Sequence, residues 1–223
     1  IGNEAAERFS FYGMRNILTV FLVDYLLSRH LASSEREAQA KSIFHLFVVG
    51  VYYFPLLGGM IADRFLGKFR TILWLSLVYC AGHACLAFFE QSPPGFYFGL
   101  FLIALGSGGI KPCVSAFVGD QFNEESKALA KTVFAAFYWS INFGSFFASL
   151  FIPKLLKTEG PMVAFGIPGV LMLIATVIFW LGLSLLPIAV YLVGLLPTLV
   201  DLWNTLALWY QGLTWTMLAM AGA

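Results

Sequence analysis

The sequence has few charged residues. Of its 223 residues, 11% are charged and 60% are hydrophobic, whereas a typical soluble domain has about 25% charged residues. Such a chain cannot cover the surface of a soluble domain with polar groups, so we predict an all-α polytopic membrane protein. The net charge of +1 gives no indication of nucleic-acid binding.

Cysteine is scarce, and its distribution argues against a metal site. The three cysteines, Cys80, Cys85 and Cys113, lie in apolar runs without a CxxC or Cys/His ligand spacing. We expect buried thiols that pack as small hydrophobic groups, with no metal and no other cofactor. Catalytic spacings such as HExxH and GxSxG are also missing from the sequence, so we predict that the protein is not an enzyme.

Long apolar runs occupy most of the chain. We predict membrane spans near 4–28, 42–63, 70–90, 96–118, 131–153 and 162–182. The polar segment 28–41 should leave the membrane, and the short connector 64–69 should make the second and third spans antiparallel neighbours. The segment 119–130 looks like a short surface helix. Basic residues divide five against five between the two sides, so the positive-inside rule does not decide the orientation.

The first span contains charged groups that a membrane helix rarely carries. Glu4, Glu7 and Arg8 are spaced i, i+3, i+4 and share one helix face, which Tyr12 and Arg15 continue. Each ionised group costs about 2.5–3.5 kcal/mol unless it faces the protein interior, pairs or lines water. The pattern indicates a proton-titrating, charge-binding site. The alternative is a structural ion pair that fastens the helix to its neighbours.

A lysine lies in the middle of the fourth span. Lys111 stands between Ile110 and Pro112, and a buried ammonium group requires a partner. We expect that partner to be Glu4 or Glu7. The alternative is a lysine that snorkels to the membrane surface, which its central position disfavours.

The end of the second span carries a loop motif. The sequence from Gly58 to Arg70 resembles the G-x-x-x-D-R-x-x-G-x-x-R loop of the major facilitator superfamily. Asp63 lies at a helix end, where it can pair with a basic group or with the N-terminus of a facing helix, and Gly67 allows a sharp turn. We interpret this loop as a gate. The candidate gating residues are Asp63, Arg64, Arg70 and Asp120.

Three further patterns point to one family. They are E-x-x-E-R-F-x-x-Y-G at 4–13, the run 106–115 closed by Asp-Gln-Phe at 120–122, and F-Y-x-x-I-N-x-G-S at 137–145. Together they resemble the proton-dependent oligopeptide transporters over roughly the first six spans. The resemblance implies the N-terminal six-helix bundle of a major-facilitator transporter that imports di- and tripeptides with protons across a bacterial inner membrane. Its partners would be small peptides, protons, the lipid bilayer and a C-terminal bundle outside this chain.

The resemblance also implies roles for individual residues. Protons would be coupled through Glu4, Glu7, Arg8, Lys111 and His45. The peptide would be bound by Arg8, Tyr12, Arg15, Tyr52, Lys111 and Asn142. An imidazole titrates at about pH 6.5, but a lone histidine in a helix often has only a structural role as a hydrogen-bonding group. Asn142 could equally make an interhelical hydrogen bond. We expect His30 and His83 to contribute to packing or to lie on the surface.

The alternative function is that of a family relative that carries nitrate or another small anion.

The sequence after residue 182 departs from the family pattern. Asp201 is the only charged residue after Glu159, and the run 210–216 resembles a seventh span without its expected acid. We therefore divide the chain into a bundle at 1–182 and further hydrophobic helices at 183–223. The second part is a lateral hairpin remnant, a seventh span or a junction. Since the chain starts inside its first span, we expect the native protein to extend before Ile1.

Overall fold

Six long helices make up most of the described protein. The computed structural model describes residues 2–123 and 127–182, and the predicted helices of 183–223 lie outside this part. The helices are α1 Gly2–Phe21, α2 Ser33–Ile61, α3 Lys68–Phe88, α4 Pro93–Gly119, α5 Lys127–Thr158 and α6 Pro161–Gly182. Each predicted span coincides with one of them, which confirms the all-α class. Helices α2 to α6 are long and apolar enough to cross a membrane, whereas charged groups interrupt the apolar sequence of α1.

The ends of two helices widen into π-helical turns. Helix α1 continues as a π turn at Leu22–Leu26 and a 3-10 turn at Leu27–Arg29, and α2 continues as a π turn at Ala62–Leu66. Gly67 then takes a positive φ of 75°, which glycine adopts at little steric cost. The sharp turn predicted at this glycine is therefore confirmed.

The first connector is more helical than predicted. Of the polar segment 28–41, the residues from Ser33 onward already belong to α2. The guanidinium of Arg36 donates to the carbonyl oxygens of Leu31 at 2.8 Å and Ser28 at 3.2 Å. These bonds satisfy backbone acceptors that the preceding turn leaves free, so a polar sequence can begin a membrane helix.

The described residues of the fourth connector do not form the separate surface helix that was predicted. Residues 120–123 form a turn and an irregular stretch, and the residues from Lys127 onward are the start of α5. The described residues of this segment therefore belong to a turn and to the start of a longer helix.

Helix α1 lies against several other helices of the bundle. It packs mainly on α5, and α4 packs on both α2 and α3. A Cβ atom added to Gly144 of α5 would lie 2.7 Å from the carbonyl oxygen of Ala5, so glycine permits the close approach of these two helices. Gly58 of α2 similarly contacts the backbone of Gly109 of α4, two residues before Lys111.

Candidate binding site

A buried ion cluster lies at the beginning of α1. The Nε and Nη2 atoms of Arg8 each lie 2.7 Å from Oε1 of Glu4, and Nε lies 3.1 Å from Oε2 of Glu7. The side chains of Glu7, Glu4 and Arg8 are 0%, 3% and 12% exposed. Because a guanidinium stays protonated, Arg8 offers a positive charge to both carboxyl groups, and buried charges are tolerated when they are paired and hydrogen-bonded.

Helix α4 holds one of the two acids. The Ser107 hydroxyl donates to Oε1 of Glu7 at 2.6 Å, and both side chains are fully buried. No role was predicted for Ser107 from the sequence. The available signal was its position four residues before Lys111, which places both side chains on one face of α4.

Lys111 does not pair directly with the acids. Its Nζ atom lies 4.2 Å from the centroid of the Phe11 ring, and no carboxylate of the described residues lies within 4 Å of it. The prediction of a direct ion pair with Glu4 or Glu7 is therefore wrong. Arg8 already occupies these acids from within their own helix, and an aromatic face attracts an ammonium group that lacks a counterion.

A cavity of about 210 Å³ lies beside the ion cluster. Its wall combines three basic side chains, two tyrosines and three apolar side chains: Arg8, Arg15, Lys111, Tyr12, Tyr52, Phe11, Val48 and Val51. Five of the six residues that were predicted to bind a ligand therefore line one space. The cavity presents positive charge and phenol groups together, so its chemistry suits an anionic group with hydrogen-bonding neighbours.

One predicted proton-coupling residue and one predicted peptide-binding residue lie apart from both the ion cluster and the cavity lining. His45 is exposed on α2, where its ring contacts that of Phe44 edge-on with centroids 5.9 Å apart. Asn142 is exposed on α5, and its Nδ2 atom donates to the carbonyl oxygen of Tyr138 in the same helix at 2.8 Å. Among the described residues, Asn142 therefore makes a hydrogen bond within its own helix and not the interhelical bond that was considered.

The other two histidines have the environments that were expected. His30 is exposed, whereas His83 is buried with its Nδ1 atom 3.1 Å from the carbonyl oxygen of Phe165. The cysteines are free thiols at buried or partly buried positions.

The candidate gate lies at the end of the bundle that holds the turn after α2. Asp63, Arg64 and Arg70 are exposed there, and no ion pair joins them to another described residue. Instead, the Nζ atom of Lys68 lies 2.5 Å from Oδ2 of Asp120. Helices α3 and α4 are antiparallel neighbours, so the start of one lies beside the end of the other. Lys68 was missed in the sequence because its partner lies 52 residues away.

The fold and the site together define the class of the protein. Buried charges lie beside a cationic cavity that α1, α2 and α4 line, and ionisable groups within membrane helices typically mark a substrate or ion pathway. The protein is an integral, multi-pass membrane protein. The family model described as POT family matches residues 69–187, and the chain belongs to this family.

Curated relatives share the family over most of this chain. It is 44% identical over 197 residues to "Peptide transporter family 1" of Drosophila melanogaster and 43% identical over 194 residues to "Solute carrier family 15 member 2" of Mus musculus. The alignments cover 82% and 81% of this chain but only 25% and 26% of those proteins. The chain thus spans about a quarter of the length of the curated relatives it matches.

Solved structures of the family have the same fold. The POT family transporter PepTSo is 66% identical, with a TM-score of 0.79 over 82% of this chain and 36% of its own. A peptide transporter POT in complex with sulfate is 32% identical, with a TM-score of 0.73 over 81% of this chain and 36% of its own. These likenesses confirm the predicted fold class, the N-terminal bundle of a major-facilitator transporter.

Proposed function

We propose that the full protein imports di- and tripeptides together with protons, and that this chain supplies the N-terminal half of the binding site. The cavity beside the ion cluster is the observation that carries this proposal, because it places three cations and two tyrosines next to two buried acids. The protein acts as a carrier in the bacterial inner membrane rather than as an enzyme.

The cavity fits the carboxylate end of a peptide. A guanidinium binds a carboxylate through two parallel hydrogen bonds, which Arg8 or Arg15 can supply, and Lys111 adds a point charge. Tyr12 and Tyr52 offer hydroxyl groups for the neighbouring peptide unit. A volume of about 210 Å³ accommodates this end of the ligand, and the peptide's amino end is held by the C-terminal bundle. Asn142 contacts the peptide backbone once the two bundles enclose it.

Proton coupling follows from competition for Arg8. This residue both pairs with the acids and lines the cavity. When Glu4 and Glu7 are ionised, they hold the guanidinium, and protonation of either weakens that hold. Arg8 itself does not release its proton, so the acids act as the switch.

Lys111 is available to the substrate in this arrangement. Its ammonium group rests on the Phe11 ring, and such a contact contributes about 0.5–2 kcal/mol. A charge-assisted hydrogen bond contributes about 1.5–3 kcal/mol. An incoming carboxylate therefore draws Lys111 away from the ring. His45, which is exposed on α2, is the second candidate for the proton route.

The turn after α2 serves as the gate. Its residues Asp63 and Arg64, together with Arg70, are exposed and free to meet the C-terminal bundle. The Lys68–Asp120 contact joins the start of α3 to the end of α4 beside this turn.

The family favours peptides over nitrate. The Drosophila relative and the sulfate complex described above carry the names of peptide transporters, and two further neighbours were solved in complex with alafosfalin and with a thioalcohol conjugated peptide. Nothing among them favours nitrate, the alternative that the sequence left open.

Competition in liposomes tests the proposal. The full-length transporter without substitutions, called the parent below, is reconstituted in liposomes, and an inward proton gradient is imposed. Accumulation of a labelled dipeptide is then measured in the presence of excess unlabelled dipeptide or excess nitrate. We expect dipeptide to suppress the signal and nitrate to leave it unchanged. Accumulation that is independent of the proton gradient, or that is suppressed by nitrate, contradicts the proposal.

A further inference from the structure

We infer that Ser107 is a positioning residue that fixes Glu7 to α4, so that Glu4 is the acid that releases Arg8. The inference rests on the proposed proton-coupled function and deepens it. It concerns a hydroxyl group outside the lining of the cavity described above, which acts only through the carboxyl group of Glu7.

The contacts of the two acids differ. Arg8 directs two nitrogen atoms to Oε1 of Glu4, both at 2.7 Å, whereas a single nitrogen lies 3.1 Å from Glu7. Glu7 has instead the 2.6 Å bond from Ser107. Protonation of Glu4 therefore weakens the short contacts of Arg8, while protonation of Glu7 leaves those contacts in place.

The hydroxyl also connects the acid to the helix of the lysine. Ser107 lies one turn before Lys111 on the same face of α4, and it binds a side chain from α1. The titratable and charged groups around Glu7 are Glu4 and Arg8 on α1, Lys111 on α4 and Tyr79 on α3. Fixing Glu7 keeps its carboxyl group at a constant position relative to these groups. Removing the hydroxyl lets the carboxyl group rotate away from α4.

The test compares two transport modes of a Ser107→Ala variant of the full-length transporter. Counterflow without a gradient and uptake with a proton gradient are measured in the same liposomes. We expect counterflow within twofold of the parent and gradient-driven uptake about tenfold lower, the effect of one hydrogen bond to a charged group. Ser107→Thr keeps the hydroxyl and should recover the parental rate. Equal rates for Ser107→Ala and the parent overturn the inference.

A matched variant separates positioning from packing. Ser76 on α3 is also fully buried, and its Oγ atom has no hydrogen-bond partner among the described residues, so Ser76→Ala should transport like the parent. In a Glu7→Gln background, where counterflow is the transport mode that remains, Ser107→Ala should cause no further loss of counterflow. An additional loss there shows that Ser107 acts on packing, and the inference fails.

An optical readout keeps the inference independent of the proposed function. In infrared difference spectra, the carboxyl band of Glu7 is identified by its disappearance in Glu7→Gln. We expect this band to move in Ser107→Ala and to stay in place in Ser76→Ala. A parent that accumulates no dipeptide refutes the proposed function alone, whereas an unmoved band refutes the role of Ser107 alone.

Discussion

The two halves of α1 are buried by different means. Its second half presents Met14, Ile17, Leu18 and Phe21, each at most 1% exposed, and Phe21 packs against the rings of Phe96 and Phe165 with centroids 4.8 and 4.9 Å away. Its first half buries an ion cluster through directional contacts. Apolar packing is non-directional and insensitive to pH, whereas the ion cluster can be rearranged by one proton. One helix therefore combines a fixed anchor with a movable site.

Lys111→Ala should have the largest effect on the polar half. It removes the cation that faces both the acids and the cavity, so proton-driven dipeptide accumulation by the full-length parent should be abolished. Uptake in liposomes with an inward proton gradient measures this. Lys41→Ala is the matched control, because Lys41 forms only an exposed pair with Glu37, and surface pairs contribute little. Parental accumulation by Lys111→Ala would refute the assigned role.

Substitution of the acids should separate binding from proton drive. Glu4→Gln mimics the protonated acid. We therefore expect counterflow to persist and to become independent of external pH, whereas gradient-driven accumulation should disappear. Glu7→Gln should also lose accumulation. Both modes are measured in the same liposomes. If the double variant still accumulates dipeptide, proton coupling lies elsewhere, with His45 as the next candidate.

Phe21→Ala should damage the apolar half without altering the chemistry of the site. Removing a fully buried ring costs about 3–5 kcal/mol, so the Tm of the purified transporter should fall. The dipeptide affinity of the folded fraction should remain within twofold of the parent. Phe89→Ala removes a ring that is 50% exposed and should leave Tm nearly unchanged. A Phe21→Ala variant with parental Tm would show that the two halves do not differ in this way.

Asp63→Asn should have the smallest effect of the four. The side chain is exposed at the turn after α2, away from the cavity, so dipeptide affinity should be unchanged while flux decreases. Equilibrium binding and initial uptake rates on the same preparation give both quantities. A large loss of affinity would place Asp63 in the binding site and not in the gate.

Local patterns determined much of this protein. The apolar runs gave six helices close to their predicted positions, because the length of an apolar run specifies a membrane helix directly. The i, i+3, i+4 spacing brought Glu4, Glu7 and Arg8 together, since these distances are set by the helix itself. The positive φ of Gly67 followed from the turn that the loop motif requires.

Contacts between helices were decided only by the tertiary structure. Lys111 contacts the ring of Phe11 rather than an acid, and Ser107 donates to Glu7, which lies 100 residues away in the sequence. Lys68 pairs with Asp120, which was predicted to be a gating residue. Such contacts depend on the rotation and register of each helix against its neighbours. In helices that are apolar on nearly every side, the sequence carries little record of that rotation, and close packing at small residues sets it instead.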